Sequence, residues 1–274
     1  MEIEEVFMAK IYKPKETFLS KKWMKEFDVT SILIDVTLSS VALAVVYIIL
    51  IVFMFNTIKA SIATYQQNKI KLVLVYSILL GFPIFSGIFI LIRLKMLIKR
   101  NIKNLQCIRK AIKTEKEVEK ILKDLSDEYS VYRNISFEYG DIDAVVIGPT
   151  GIFVIEAKYN KGLVSHDGYG RITVIDGIEP KKNYRKQVIG ESIRLKRYLD
   201  EETNEKVWVF PVLVFPFASV MKGTVLENKN DNYKVPVLGR EEVLQYIYQH
   251  EKEHSLKKIE KCKQAMDKFI ENMN

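Results

Sequence analysis

The sequence predicts an α/β protein in which helices flank a mixed β-sheet, preceded by a two-helix transmembrane hairpin. Past residue 100 the pattern runs helix, several strands, helix, strand and helix. This order is typical of one sheet packed between helix layers, and about 150 residues suffice for one such core. Before it, two runs at residues 36–55 and 72–92 contain no Asp, Glu, Lys or Arg.

Each apolar run is long enough to cross a hydrocarbon core of about 30 Å. Buried helices of a soluble protein are the alternative, which the length and purity of the runs disfavour. Residues 93–113 carry eight Lys or Arg, whereas the loop at residues 56–71 carries three. The positive-inside bias therefore predicts a cell-membrane protein with both termini in the cytoplasm. The lysine-rich N-terminal tail, residues 1–35, can lie on the lipid bilayer or in solvent, and the sequence does not distinguish the two.

The predicted domains are a cytoplasmic tail at 1–35, the transmembrane hairpin at 36–100, an α/β domain at 101–250 and a charged terminal helix at 251–274. The formal charge of +8 favours polyanionic partners, nucleic acid or anionic lipid. Cys107 and Cys262 form no CxxC motif, so neither a disulfide framework nor a zinc knuckle is supported.

Period and turn signals predict the elements of the α/β domain in order. They are a helix at 104–126, a strand at 131–135, hairpin arms at 144–147 and 152–155, strands at 163–165 and 172–175, a helix at 182–199, strands at 208–215 and 235–238, and helices at 241–248 and 252–273. The run at 208–215 is apolar almost throughout, which is typical of a fully buried strand.

The hairpin predicts a site. If its turn at residues 148–151 is symmetric, Ile147 pairs with Ile152, and Asp143 then lies opposite Glu156. Directly paired cross-strand residues have Cβ atoms about 4.5–5.5 Å apart, so two like charges there repel. Such a pair usually needs a shared proton or a bound divalent cation.

Two further charges are expected on the same face of the hairpin. Side chains alternate along a strand, which places Lys158 beside Glu156 and Asp141 opposite Lys158. This grouping looks like a metal-dependent phosphodiesterase site. The alternative is a surface ion cluster, which the apolar arms of the hairpin disfavour.

Glu115 occupies the buried stripe of the first predicted helix, three positions before Val118 and seven before Leu122. A buried carboxylate is costly unless it is paired or bound to a metal. Glu115 can therefore add an acidic group to the site, or it can reach solvent at the edge of the stripe. The sequence leaves both readings open.

Residues 250–254 match the HExxH zinc-peptidase motif, in which His250 and His254 would bind zinc one helical turn apart. Zinc-peptidase helices are buried and largely uncharged around the motif, whereas this segment is polar all round. The only other histidine is His166. The sequence therefore disfavours a zinc peptidase.

The string GDIDAVVIGPTGIFVIEAK at residues 140–158, followed by Gly162, resembles the nuclease-related domain, NERD, of the restriction-endonuclease-like PD-(D/E)xK superfamily. Residues 114–118 are similar to the G-E-x-x-V of that family, and residues 183–187 to its N-P-x-x-Q. The resemblance covers roughly residues 110–240. The departures are Thr114 for Gly, Asp141 for Glu and Tyr184 for Pro, and none of them removes a presumed catalytic group.

The resemblance implies a restriction-endonuclease-like fold and a role for each matching residue. Asp143 and Glu156 would hold Mg²⁺ or Mn²⁺, with Glu115 in or near the metal's ligand set. Lys158 would position the attacking water or neutralise charge on the phosphate. Gln187 would orient the water or a phosphate oxygen.

The second predicted helix is basic, and Lys182, Arg185 and Lys186 are its candidate nucleic-acid contacts. A solvated cationic helix face is the alternative. The sequence thus predicts a membrane-anchored nuclease acting on cytoplasmic DNA or RNA, with DNA ahead of RNA. The alternative is a module that binds nucleic acid or protein with little turnover. A homodimer is compatible with such a nuclease, and the sequence leaves the oligomeric state open.

Overall fold

The structure is a computed structural model of the chain. It describes residues 8–12, scattered positions between 38 and 59, and residues 69–273 apart from 138–139, 167–171, 176–181, 229–230 and 252–253; within 69–101 only some side chains are described. The chain divides into two compact units. One comprises Met1–Lys21 and Ile108–Asn274, and the other comprises Lys22–Cys107.

The helices and strands of the described residues follow the predicted order, with two differences: the predicted helix at 104–126 is the end of one long helix that also includes residues 72–92, and three short strands, at Lys10–Tyr12, Ala218–Val220 and Val225–Leu226, were not predicted. In chain order they are β1 (Lys10–Tyr12), α1 (Lys69–Lys123), β2 (Ser130–Phe137), β3 (Gly140–Gly148), β4 (Gly151–Ala157), β5 (Gly162–His166), β6 (Ile172–Ile175), α2 (Tyr184–Thr203), β7 (Phe210–Phe215), β8 (Ala218–Val220), β9 (Val225–Leu226), β10 (Val235–Gly239), a 3₁₀ turn (Arg240–Glu242), α3 (Val243–Gln249) and α4 (Leu256–Met273).

The main sheet is mixed, with strand order β1-β2-β3-β4-β7-β10-β9. Strands β2, β3 and β4 form an antiparallel meander, whereas β7 runs parallel to β4 and β10 runs parallel to β7. The connection from β4 to β7 includes α2, as a crossover between parallel strands requires. A smaller sheet has the order β6-β5-β8.

Each face of the main sheet is covered by helices, which confirms the predicted mixed sheet flanked by helices. On one face, Val188 and Leu195 of α2 and Met266 of α4 are fully buried in the same cluster as Val145 of β3. A second cluster holds the C-terminal part of α1 and α3, against the opposite face of the strands. Both sides of the central strands are therefore buried, which explains their nearly continuous apolar sequence.

The hairpin register is confirmed, because Ile147 pairs with Ile152. The buried strand predicted from residue 208 begins at Phe210, and Trp208 is 37% exposed. The sequence also missed β1, in which residues of the lysine-rich tail pair in parallel with Ser130–Tyr132 of β2. A three-residue edge strand is too short to show a period, so only its partner reveals it.

The two predicted membrane spans fall largely outside what the structure describes. Residues 36–55 are described only at scattered positions, and residues 72–92 lie within α1, where most of the side chains are not described. Among the described residues, no helix is both long enough and apolar enough to span a bilayer.

Candidate active site

The β3–β4 hairpin brings its two acidic residues to the same end of the ladder. The register pairs Ala144 with Ile155, and Asp143 and Glu156 are the next positions on the two strands. Asp143 is partly buried, and its Oδ2 accepts a hydrogen bond of 2.8 Å from the backbone N–H of Ala157. The paired ladder thus ends one residue short of the two carboxylates, and the charge of Glu156 acts on Asp143.

An irregularity in the neighbouring strand β2 coincides with Asp143. Tyr132 and Ile135 are three residues apart, yet both belong to the core cluster beneath α2 and α4. Strict alternation would put them on opposite faces, so the pattern shifts by one residue between them. Asn134, in this interval, has a left-handed φ of 54°, and the paired register skips Asn134 and Asp143. One residue is skipped on each strand, so the register of β2 and β3 is the same on both sides of the break.

Lys158 and Gln187 join Glu156 in one hydrogen-bonded group. The Lys158 ammonium donates to Glu156 Oε1, and it also donates to Gln187 Oε1 at 3.1 Å. Gln187 Nε2 in turn donates to Glu156 Oε1 at 2.7 Å. Three of the residues predicted from sequence thus meet, and the Gln187 amide is held at both ends.

Tyr184, where the resembling family has Pro, contributes to the same group. Its ring centroid lies 5.0 Å from the Lys158 ammonium, close enough for a cation–π contact. Asn183 caps the start of α2 by accepting a 3.0 Å hydrogen bond from the backbone N–H of Lys186. The cap fixes the first turn of α2, which carries Tyr184 and Gln187 to Lys158.

Glu191 is a member of the site that the sequence analysis missed. It is only 2% exposed, and its Oε1 accepts a 3.0 Å hydrogen bond from Gln187 Nε2. Its Oε2 is buried and accepts from no donor among the described residues, while its carboxyl group lies within hydrogen-bonding reach of that of Glu156. Glu191 is three residues after Val188 and four before Leu195, so the buried stripe of the helix could have revealed it.

Burial makes all three carboxyl groups reluctant to ionise. It raises the pKa of Asp143 to about 7, with the nearby charge of Glu156 adding to the rise. Burial likewise raises the pKa of Glu156 to about 7, although Lys158 opposes the shift, and that of Glu191 to about 7 against the bond from Gln187. Burial alone would lower the pKa of Lys158, but Glu156 outweighs it and the net pKa is raised.

Glu115 lies beside Arg133 of β2. The Arg133 guanidinium donates to the backbone carbonyl of Glu115 at 3.0 Å, lies 3.9 Å from Glu115 Oε2, and donates to the carboxylate of Glu119. Arg133 also acts electrostatically on Asp143, where it opposes the rise in pKa. The suggested role of Glu115 as a metal ligand stays a prediction.

The prediction that Asp141 shares the face of Lys158 needs correction, because its neighbour Ile142 packs in the cluster beneath α2 and α4, and Asp141 therefore lies on the other face of the sheet. Asp141 Oδ1 accepts a 2.6 Å hydrogen bond from Ser136 on β2, its cross-strand partner. The simple extrapolation assumed unbroken alternation along β3. The break at Asn134 and Asp143 invalidates it, because side chains beyond the break no longer keep the face that the hairpin assigns.

Arg185 also differs from its predicted role as a nucleic-acid contact. It is 6% exposed, and its guanidinium donates to Leu226 O, to Tyr233 O and, as a bidentate pair, to Asp231. These bonds occupy its donors in the protein interior, so Arg185 fixes the loop after β9 rather than facing a phosphate. Lys182 and Lys186 are exposed, as that prediction requires.

The HExxH segment does not form a helix at the positions that the structure describes. His250 follows α3 with an extended backbone, and its ring packs 4.1 Å from that of Phe210, measured between centroids. His254 Nε2 lies 3.1 Å from the backbone nitrogen of Trp208. The two imidazoles therefore serve packing and a backbone contact, and a zinc peptidase has no support.

The residues of the site fit a hard divalent cation. Asp143, Glu156 and Glu191 offer carboxylate oxygens, which suit Mg²⁺ or Mn²⁺. The unpartnered Oε2 of Glu191 is an oxygen still able to accept such an ion. As the side chains stand in the described part of the chain, no three Asp, Glu, His or Cys residues are grouped closely enough to hold a metal.

A mixed sheet that presents Glu and Lys from one hairpin to a glutamine of a flanking helix is consistent with a nuclease-like α/β fold. Comparison with known families finds the nuclease-related domain, NERD, at residues 110–216. This range covers the hairpin, α2 and β7, and so the whole group of site residues. It supports a nuclease-related function and a nucleic-acid partner. No curated protein and no solved structure matches the chain.

Proposed function

We propose that this chain is a membrane-anchored, metal-dependent nuclease that hydrolyses phosphodiester bonds of DNA or RNA at the cytoplasmic face of the membrane. The observation that carries the proposal is the hydrogen-bonded group of Glu156, Lys158 and Gln187 within the NERD domain, with Asp143 close enough to feel the charges of Glu156 and Lys158. Electrostatic groups arranged in advance around the position of the reacting phosphate are the usual basis of such catalysis.

Asp143 and Glu156 would hold Mg²⁺ or Mn²⁺. When bound, such an ion polarises the phosphate and lowers the pKa of the attacking water. The pKa values of both carboxyls are raised to about 7, which fits a site whose buried negative charge a cation would offset.

Lys158 would stabilise the negative charge that develops on the phosphate. Its ammonium is held by Glu156, by Gln187 and by the ring of Tyr184, so its direction is fixed before substrate arrives. Gln187 would position both Lys158 and Glu156, since its carbonyl accepts from one and its amide donates to the other. The catalytic group would therefore be Lys158, with Gln187 orienting it.

Lys182 and Lys186, at the start of α2, would contact the phosphate backbone. Both are exposed; Lys186 is next to Gln187 in α2, and Lys182 directly precedes the N-cap residue Asn183. Phosphate contacts carry no sequence information, so they suit a nuclease with broad substrate choice. DNA is the substrate that we place ahead of RNA, and a homodimer would allow cleavage of both strands.

Residues 36–55 and 72–92 would anchor the enzyme to the membrane, with both termini in the cytoplasm. The support is the length and purity of the two runs and the excess of Lys and Arg in residues 93–113. The full-length chain should sediment with membranes and resist extraction at alkaline pH. Its release by alkaline carbonate would contradict the anchor.

The activity is tested by incubating the full-length chain with plasmid, single-stranded DNA and RNA, in Mg²⁺, Mn²⁺ or EDTA. We expect cleavage that needs a divalent ion and is lost in Glu156→Gln. Glu201→Gln, an exposed position on the same helix α2, is the matched control and should cleave like the parent. Cleavage by the parent no greater than by Glu156→Gln on every substrate would favour a binding module instead.

A further inference from the structure

Glu191 links α2 to the acidic hairpin through a single amide group. It lies one helical turn after Gln187, on the side of α2 that packs against β4. Gln187 Nε2 donates to Glu156 Oε1 at 2.7 Å and to Glu191 Oε1 at 3.0 Å. Both N–H groups of that amide therefore end on carboxylates, which brings a helix carboxylate and a strand carboxylate to the same nitrogen.

The second oxygen of Glu191 is the unusual feature. Oε2 is buried and accepts no hydrogen bond within the described part of the chain, although the residue as a whole is 98% shielded from solvent. Buried polar atoms are nearly always satisfied, so the lack of a donor at Oε2 indicates a missing partner. The carboxyl of Glu156 lies within hydrogen-bonding reach of Glu191, but it can donate only when one of the two groups is protonated. Asp143 acts electrostatically on Glu191, so this partner would lie within the acidic cluster.

The charges of the cluster indicate what the missing partner is. Asp143, Glu156 and Glu191 contribute three carboxylates, and Lys158 contributes one ammonium group. Arg133 is the next cation, and two glutamates of α1 already bind its guanidinium. Carboxylate oxygens brought together in this way are the ligands that a hard divalent cation takes, and its charge would favour the ionised form of all three groups.

We propose that Glu191 is a third carboxylate ligand of the divalent cation, binding through Oε2. In the described part of the chain the three carboxylates are not grouped closely enough for a metal as they stand, so binding would draw them together around the ion. The inference rests on the proposed nuclease function and deepens it, because the ion would be held from two strands and from α2 together. A donor set made of oxygen atoms alone favours Mg²⁺ or Mn²⁺ over zinc. Ligation from α2 would also lock Gln187, through their shared hydrogen bond, in the orientation that directs Lys158.

The test is direct binding of Mn²⁺ to the purified full-length chain. Two readouts are used: electron paramagnetic resonance, which measures the free ion, and the temperature of thermal unfolding. Glu191→Gln keeps the size and the bond to Gln187 but removes the charge. We expect at least a tenfold loss of Mn²⁺ affinity, since even residues that only support metal ligands typically contribute tenfold to a hundredfold. Glu201→Gln, exposed on the same helix, should bind like the parent.

Unfolding in EDTA separates a lost ligand from a damaged fold. Glu191→Gln should unfold in EDTA at or above the temperature of the parent, since it removes an unsatisfied buried charge, and Mn²⁺ should raise that temperature less than it does for the parent. Parent-like Mn²⁺ affinity in Glu191→Gln, together with loss of binding in Glu156→Gln, would overturn the role of Glu191 and leave the nuclease proposal intact. Failure of the parent chain to bind Mn²⁺ would overturn the metal-dependent function itself.

Discussion

Asp143→Asn should make the metal-free protein more stable while abolishing its activity. Burial raises the pKa of Asp143 from 3.8 to about 7, a shift of about three units. At 1.36 kcal/mol per unit, ionising Asp143 in the folded state costs up to about 4 kcal/mol above neutral pH. Asn keeps an oxygen that can accept the N–H of Ala157, so the substitution removes the charge without removing that bond. Because Glu156 shares the repulsion, we expect roughly half of this limit to be gained.

The dependence on pH has a definite sign. The folded-state pKa of Asp143 lies above its unfolded value, so between about pH 4 and pH 7 the folded protein binds more protons than the unfolded one. The parent should therefore lose stability as pH rises through this window, whereas Asp143→Asn should not show that loss. The advantage of the variant should be absent near pH 4 and complete above pH 7.

Thermal unfolding in EDTA at pH 4 to 8 measures this difference. A gain of about 2 kcal/mol corresponds to a melting temperature higher by roughly 4–8 °C for a unit of this size. Asp141→Asn is the matched control, because Asp141 lies on the same strand but bonds to Ser136 outside the cluster. If Asp143→Asn melts at or below the temperature of the parent at pH 8 in EDTA, the electrostatic account of the site is wrong.

Three more substitutions test other parts of the structure. Arg185→Met should destabilise the fold by about 3 kcal/mol in urea unfolding, because it leaves the carboxylate of Asp231 and two backbone carbonyls without their donor. If the variant is as stable as the parent and has only lost affinity for DNA, this structural role is refuted. Lys186→Ala should leave the unfolding free energy unchanged. It should reduce the slope of log affinity against log salt concentration by about one phosphate contact, as measured by fluorescence anisotropy of oligonucleotide binding. An unchanged slope would show that Lys186 does not contact the nucleic acid. Gly148→Ala should cost about 1–3 kcal/mol, since its Cβ would lie 2.1 Å from Cδ1 of the buried Tyr129 ring; unchanged stability would show that the ring can move aside.

The hairpin and its chemistry could be predicted because they depend on local rules. A short turn between two β-branched arms sets the register, and the register alone places Asp143 beside Glu156. The period of α2 likewise predicts its buried face, and Gln187 lies at the flank of that face. These features need no knowledge of distant parts of the chain.

Other parts of the site depend on contacts that no local pattern encodes. Asp141 turns to Ser136 because β2 breaks its alternation at Asn134, a residue whose left-handed backbone the sequence did not indicate. Arg185 looks like any basic residue of an exposed helix until the loop carrying Asp231 folds over it. In both cases a polar side chain was assigned to the wrong neighbour.

By itself the sequence determined the class of the domain, the order of its longer helices and strands, and the register of the hairpin whose arms carry Asp143 and Glu156. The alternation of side chains along a strand and the 3.6-residue period of a helix follow from backbone geometry, so they do not depend on the surrounding structure. Only the tertiary structure decided that Glu191 joins the cluster and that Arg185 leaves the surface. The partner and the burial of a charged side chain are set by elements far away in sequence. Here they are β4, which packs against α2, and the loop after β9, and these elements come into contact only when the chain folds.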